Sequence, residues 1–393
     1  MKAVVIVLDS VGIGAAPDAA AYGDAGAATL PHCAAAVGGL RLPTFQQLGL
    51  GNIPALLPGG VSIAGVPPCA HPVGSYGAMR EVSDGKDTIT GHWEIAGLLI
   101  HPPFHLFPPN YPSFPASLVT EFTRRTGRAL LGNKAASGLA ILDELGAEHM
   151  RTGAWIAYTS ADSVFQLAAH TGVIPLPEIY RACLVARELC NPLKVGRVIA
   201  RPFTGIPGAF VRTEERRDYA FLPEEPTILE RLKDARVPVY AVGKIEDIYA
   251  HRGITETVHT GHTTASQEQV VRFFREKSAG LICANFIDFD MLYGHRRDAR
   301  GFAAALEQTD DFLRAFLPLM TAEDLLILTA DHGNDPTFRG TDHTREFVPL
   351  LAYQPGRPGG TLGIRLGFFD IAQTLATFFG LPPLPRGTAF LTS

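Results

Sequence analysis

Short apolar runs bounded by glycine, proline or polar residues recur along the chain. They stand at Ala3–Leu8, Trp155–Tyr158, Val198–Ala200, Val237–Val242, Leu281–Ile287, Leu325–Leu328 and Val348–Ala352. Their β-branched content and length predict strands. Between them the period changes. From Phe302 to Met320 apolar residues fall at Phe302, Leu306, Phe312, Phe316 and Leu319, a helical spacing, and Ser266 to Lys277 reads as a second helix. Strands alternating with helices over such a length predict an α/β fold whose central sheet is largely parallel and flanked by helices. Two stretches break the alternation. His101 to Pro115 reads HPPFHLFPPNYPSFP, too rich in proline to continue a helix or a central strand. Arg212 to Pro226 is polar, with RTEERRD followed by PEEP. Both are expected to be connectors. Residues 101–220 then form a smaller α/β domain inserted into a core made of 1–100 and 221–393, with no internal repeat.

Composition narrows the class. A chain of 393 residues with 46% apolar and 19% charged residues is long enough for two domains. The net charge of −5 and the lack of a basic block argue against a nucleic-acid partner. No run of 18 apolar residues lacks charge or proline, which argues against a membrane span. The opening Val4–Leu8 run ends at Asp9 without a signal-type cleavage site. Five cysteines, at 33, 69, 183, 190 and 283, form no CxxC pair, so reduced thiols and a cytoplasmic location are expected. No obligate protein partner is evident.

The candidate chemistry lies where strands stop. Asp9 follows AVVIVL, Asp290 follows LICANFIDF and Asp331 follows DLLILTA. In an open parallel sheet ligands gather beyond the carboxyl ends of the strands, where these carboxylates could converge. Each alone would equally suit a helix cap or a turn. Histidines change the picture: His332 follows Asp331 directly, His343 lies in DHTRE, and His295 ends DMLYGH. Mixed carboxylate and imidazole donors suit Mn²⁺, Zn²⁺ or Fe²⁺ better than Mg²⁺ or Ca²⁺. The set suffices for two ions sharing one nucleophile. In GKDTITGHWE, Thr88 could stand at a helix N-terminus that favours phosphate, and metal coordination is one way to activate its hydroxyl. Thr88 or Thr90 could instead cap that helix. His92 and Trp93 fit core packing of the same helix, and Cys283 reads as a small buried hydrophobe. The HxxH spacing of His259 and His262, near His251, lacks the ligand count of a metal site.

The chain resembles the bacterial phosphopentomutases of the alkaline phosphatase superfamily. The stretches that carry the resemblance are VLDSVGIGAAPDA, GKDTITGHWEIAGL, GNKAASG, YTSADSVFQLAAH, VGRVIARPF, DFDMLYGHRRD and TADHGNDPTFRGTDHTREFVPLLAY, in family order across nearly the whole chain. The resemblance implies an alkaline phosphatase-like core with an inserted cap, interconverting ribose 1-phosphate and ribose 5-phosphate, and the deoxyribose pair. It implies Thr88 as the nucleophile, working as a phosphothreonine through a 1,5-bisphosphate, with a sugar bisphosphate as primer. One metal, by family habit Mn²⁺, falls to Asp9, Asp331 and His332, and the other to Asp290, His295 and His343. Pentose phosphate contacts fall to Ser160, Asp162, Arg197, Ile199 and Arg212, with Lys244 from the core. Asp288 supports the site without being a ligand, and Arg296 and Arg297 either face phosphate or support His295. The segment around His251, His259 and His262 departs from the family pattern. Phosphoglycerate mutases, the related alternative, carry serine followed by Glu-Val-Gly-His where this chain has Thr88-Ile89-Thr90-Gly91-His92.

Overall fold

A computed structural model describes residues 1–160 and 163–391. The chain forms two compact units, Met1–His101 with the stretch from Pro223 onward, and Pro102–Leu222. The larger unit holds a nine-stranded sheet. In spatial order its main strands are Glu256–Val258, Val239–Val242, Gly280–Phe286, Lys2–Leu8, Leu325–Thr329, Glu346–Tyr353, Ser75–Met79 and Thr361–Arg365. The first five run parallel, and Glu346–Tyr353 runs against both its neighbours. Gly14–Ala15 pairs with that antiparallel strand.

Strands buried on both faces read as continuous apolar runs, and those are the ones the sequence marks most clearly. Gly280–Phe286 and Leu325–Thr329 are buried throughout. Lys2–Leu8 is buried from Ala3 on. The helix Ala299–Phe316 covers the sheet with Phe302, Leu306, Leu313 and Phe316, and Asp298 caps its first turn by accepting from Gly301 N. It stops four residues before the expected end because Pro318 tightens the chain into a short 3₁₀ turn. The expected Ser266–Lys277 helix starts earlier, at Thr263. Among the described residues no helix is long and apolar enough to cross a membrane. The five cysteines are unpaired thiols.

The smaller unit has a six-stranded mixed sheet. Helices Ala116–Thr126 and Leu176–Cys190 pack on one face around Trp155, Phe165 and Phe122, and Ala140–Thr152 packs on the other against Ile156 and Phe203. Both expected connectors do more than connect. His101–Pro115 has no helix or strand, yet Phe107 and Phe114 enter the core, with the Phe114 ring tilted against Phe165 at a centroid distance of 4.6 Å. Within Arg212–Pro226, Arg217–Ala220 forms a strand paired with Arg197–Ala200. Its charges disguise it in the sequence because an edge strand exposes one side to water.

Candidate metal centre and nucleophile

Three neighbouring parallel strands bring the aspartates together. Leu8 pairs with Phe286, and Val7 with both Asn285 and Thr329, so the chains leave the sheet side by side. Asp9 and Asp331 follow within two residues of their strand ends. Asp290 and His295 use a different device. In an α-helix residues five apart point about 140° away from each other. Here Phe289–Gly294 is a π-helical turn, closed by His295 N donating to Asp290 O at 3.1 Å, which brings His295 Nε2 to 3.2 Å from Asp290 Oδ2. His343 returns through a two-residue bridge, Gly333 to Thr344, that stacks its ring on His332 with centroids 3.9 Å apart.

All six predicted ligand residues therefore meet. Two groups have donor atoms within 4.8 Å of one another: Asp290 with His295 and His343, and Asp9 with Asp290 and His332. Asp290 belongs to both. Asp331 stands at the edge of the second group, its Oδ1 accepting from Ser10 N at 3.1 Å and its Oδ2 3.3 Å from His332 Nε2. The donor set fits divalent cations. Asp9 Oδ1, Asp331 Oδ2 and His343 Nε2 are buried without a hydrogen-bond partner. Carbonyls, which can only accept, hold the protonated Nδ1 of His332 (Gly333 O, 3.1 Å) and of His295 (Thr341 O, 2.7 Å), leaving each Nε2 lone pair for an ion.

The electrostatics are those of buried carboxylates and imidazoles crowded together. Burial, then the Asp331 and Asp290 carboxylates, holds the Asp9 carboxyl well above its usual range, against the Lys244 ammonium. Burial would lower the His343 pKa, but Asp290 beside it pushes it up to about 10. Burial keeps His332 below its ordinary value, the neutral form that ligates.

Thr88 opens the helix Thr88–Ile95, and neither threonine caps it. Asp87 does, its Oδ1 accepting from Ile89 N and Thr90 N and its Oδ2 from Thr90 Oγ1 at 2.6 Å. Thr90 is thereby engaged and buried, whereas Thr88 Oγ1 faces His332 Nε2 at 3.2 Å. Gly91 makes this approach possible, because a Cβ there would run into the carbonyl of Asp331. Gly91→Ala should therefore lower thermal stability by roughly 1–3 kcal/mol, the scale of overpacking. At an open helix position the same change stabilises by about 1 kcal/mol, so the sign of the Tm shift decides.

Three supporting side chains, Asn285, Asn334 and Arg345, gave little sequence signal, whereas Arg297 was expected either to face phosphate or to support His295. Asn285 Nδ2 donates to Asp9 Oδ2 at 2.9 Å and Asn334 Nδ2 to Asp290 Oδ1 at 2.8 Å. Arg297 Nη1 donates to Asn334 Oδ1, so it stands behind the ligands. Arg345, almost fully buried, binds Glu81, Asp18 and the carbonyls of Ser83 and Gly85, tying the loop that leads to Thr88 to the strand after His343. An asparagine inside an apolar strand was the available hint. Asp288 accepts from Thr263 N and anchors the helix behind the site. The three histidines of the 251–262 segment find carboxylates: His251 and His259 lie at 3.5 and 3.1 Å from Glu246, and His262 at 3.6 Å from Asp288.

Of the predicted substrate contacts, Lys244 is exposed just past the strand Val239–Val242 in the larger unit. In the smaller unit Arg197 and Ile199 share one face of a strand, in register with Val164 and Gln166, and Arg212 Nη2 donates to Tyr158 Oη at 3.2 Å. Ser160 follows the strand Trp155–Thr159. Asp162 lies outside the described residues.

A family model described as the metalloenzyme superfamily matches residues 1–383. The phosphopentomutase of Caldanaerobacter subterraneus subsp. tengcongensis is 51% identical over 99% of this chain and 97% of that enzyme. Those of Anaeromyxobacter sp. (strain K) and Thermotoga maritima are each 50% identical over 99% of this chain and 98% of theirs.

Proposed function

Because the chain belongs to the phosphopentomutases of the metalloenzyme superfamily, we propose that it interconverts ribose 1-phosphate and ribose 5-phosphate, and the 2-deoxyribose pair, by way of a phosphothreonine at Thr88. A mutase of this superfamily binds divalent metal. The observation that carries the finer reading is the hydroxyl of Thr88 facing His332 where two donor groups share Asp290. Asp290, His295 and His343 hold one ion, and Asp9, His332 and Asp331 the other. When bound, two divalent ions, Mn²⁺ by donor type, supply Lewis-acid stabilisation of the phosphoryl oxygens and favour the ionised hydroxyl.

Thr88 gives its phosphoryl group to the free hydroxyl of a pentose monophosphate, breaking the Oγ–P bond and forming the 1,5-bisphosphate. The other phosphoryl of that bisphosphate then returns to Thr88 Oγ, releasing the isomer. A sugar bisphosphate loads Thr88 at the start. The helix at Thr88 turns the positive end of its dipole toward the transferring group. Arg197 and Arg212 suit bidentate recognition of the phosphate that stays on the sugar, with Ser160, Asp162, Ile199 and Lys244 completing the contacts.

The test is a coupled assay with ribose 5-phosphate, Mn²⁺ and a trace of hexose bisphosphate, with purine nucleoside phosphorylase and hypoxanthine trapping ribose 1-phosphate as inosine. Inosine formation that EDTA stops and Mn²⁺ restores is the expected result. Free phosphate and ribose without inosine would replace the mutase by a phosphatase.

A further inference from the structure

His92 is fully buried directly behind the nucleophile, four residues along its helix. Its Nδ1 lies 2.9 Å from the carbonyl oxygen of Thr88 and 3.1 Å from Asp331 Oδ2. Both oxygens are acceptors only, so Nδ1 carries the proton. The other ring nitrogen, Nε2, is buried with no hydrogen-bond partner among the described residues. A ring present only to fill space would be better as phenylalanine, since an unpartnered buried polar atom costs about 1–3 kcal/mol. The backbone around His92 is itself fixed. Tyr249 Oη donates to its carbonyl at 2.6 Å, and the neighbouring Gly91 rests on Asp331.

We propose that His92 is a positioning residue that sets the Asp331 carboxylate against the nucleophile helix. The Nδ1–H donates to the first carbonyl of that helix, and the same nitrogen lies 3.1 Å from Asp331 Oδ2, a charge–dipole contact short of a hydrogen bond, so the carboxylate and Thr88 keep a fixed spacing. Asp331 is held on its other side by Ser10 N, and the two restraints leave its Oδ2 aimed at the donor group of Asp9 and His332. Groups that orient a metal-bound carboxylate raise metal affinity without touching the ion. The inference rests on the reading of Asp331 as a metal ligand.

The test titrates Mn²⁺ calorimetrically into the full-length, metal-stripped protein and its variants. His92→Asn keeps an amide N–H near the place of Nδ1, His92→Gln moves it to the place of Nε2, and His92→Phe removes it while keeping the ring. Positioning through Nδ1 predicts that Phe and Gln lose roughly 10–100-fold in Mn²⁺ affinity while Asn stays near the wild-type value. A packing role predicts the reverse order, with Phe least affected. Thermal melts and far-UV circular dichroism of the metal-free variants identify those that fold. If Asn does not fold, the folded Phe variant decides: wild-type affinity overturns the proposal, and lost affinity supports it. Asp331→Asn is run beside them. Unchanged affinity there overturns the ligand reading itself, whereas lost affinity there with an unaffected His92→Phe overturns only the role of His92.

Discussion

Thr88→Ala is expected to abolish mutase turnover, by at least about 10⁴-fold in kcat, the scale on which loss of an attacking group acts. The fold has no reason to follow. Asp87 makes the cap, accepting from Ile89 N and Thr90 N, and Thr88 contributes only its backbone to that first turn. Its side chain is partly exposed and touches His332, so its removal deletes a hydroxyl without opening a core cavity. Metal content should stay near wild type, since the two donor groups do not depend on the hydroxyl. The measurement pairs the inosine-coupled rate with elemental analysis, and adds ³²P transfer from labelled bisphosphate to the protein. The label should appear on wild type and be absent from the variant. Retained turnover would move the nucleophile elsewhere. Thr90 is a poor substitute, because its hydroxyl is buried and already donates to Asp87.

Asp290→Ala should do more damage to the metal centre than any other single ligand change. It is the residue common to both donor groups, so its loss leaves His295 and His343 without a carboxylate and takes the shared carboxylate from Asp9 and His332, with only Asp331 at the edge of that group. Metal bound per chain should fall below one ion, and turnover with it. Asp9→Ala, which touches one group, should lose a single ion under the same conditions. Asp290→Asn separates charge from shape. It keeps the volume beside Asn334, and if charge is what matters it should lose metal nearly as fully as alanine. Unchanged stoichiometry in either Asp290 variant removes it from the ligand set.

The parts of this architecture that a sequence announces are those whose physics is local. Ala3–Leu8 and Leu325–Leu328 were legible because doubly covered strands must be apolar at every position. Ser75–Met79, reading SYGAM, was not, since its small residues make no run and its place is set by pairing with Glu346–Tyr353. Thr361–Arg365 is broken in register at Gly363 and hidden for the same reason. The six ligands could be found as aspartates and histidines near strand ends. How they group could not, because sharing Asp290 depends on how side chains turn after residues distant in sequence have met. The resemblance pairs Asp9 with both Asp331 and His332, whereas the closest donors gather Asp9, Asp290 and His332. His92 and Arg345 were illegible as site residues for a related reason. Each acts on chain more than two hundred residues away, and nothing near either one in sequence signals that contact.

The π-helical turn from Phe289 to Gly294 has a consequence for how this chain can change over generations. Between Asp290 and His295 the identity of the intervening residues is constrained by packing alone, and Met291 and Leu292 are only half-buried. Their number is a different matter. At five residues apart ordinary helical winding would swing the imidazole away from the carboxylate, and so would one residue more, whereas one residue fewer would let an α-helical turn keep both on one face. Point substitution is an open path at Met291 and Leu292, a closed one at Gly294, where a Cβ would meet Asn334, and insertion is closed as well.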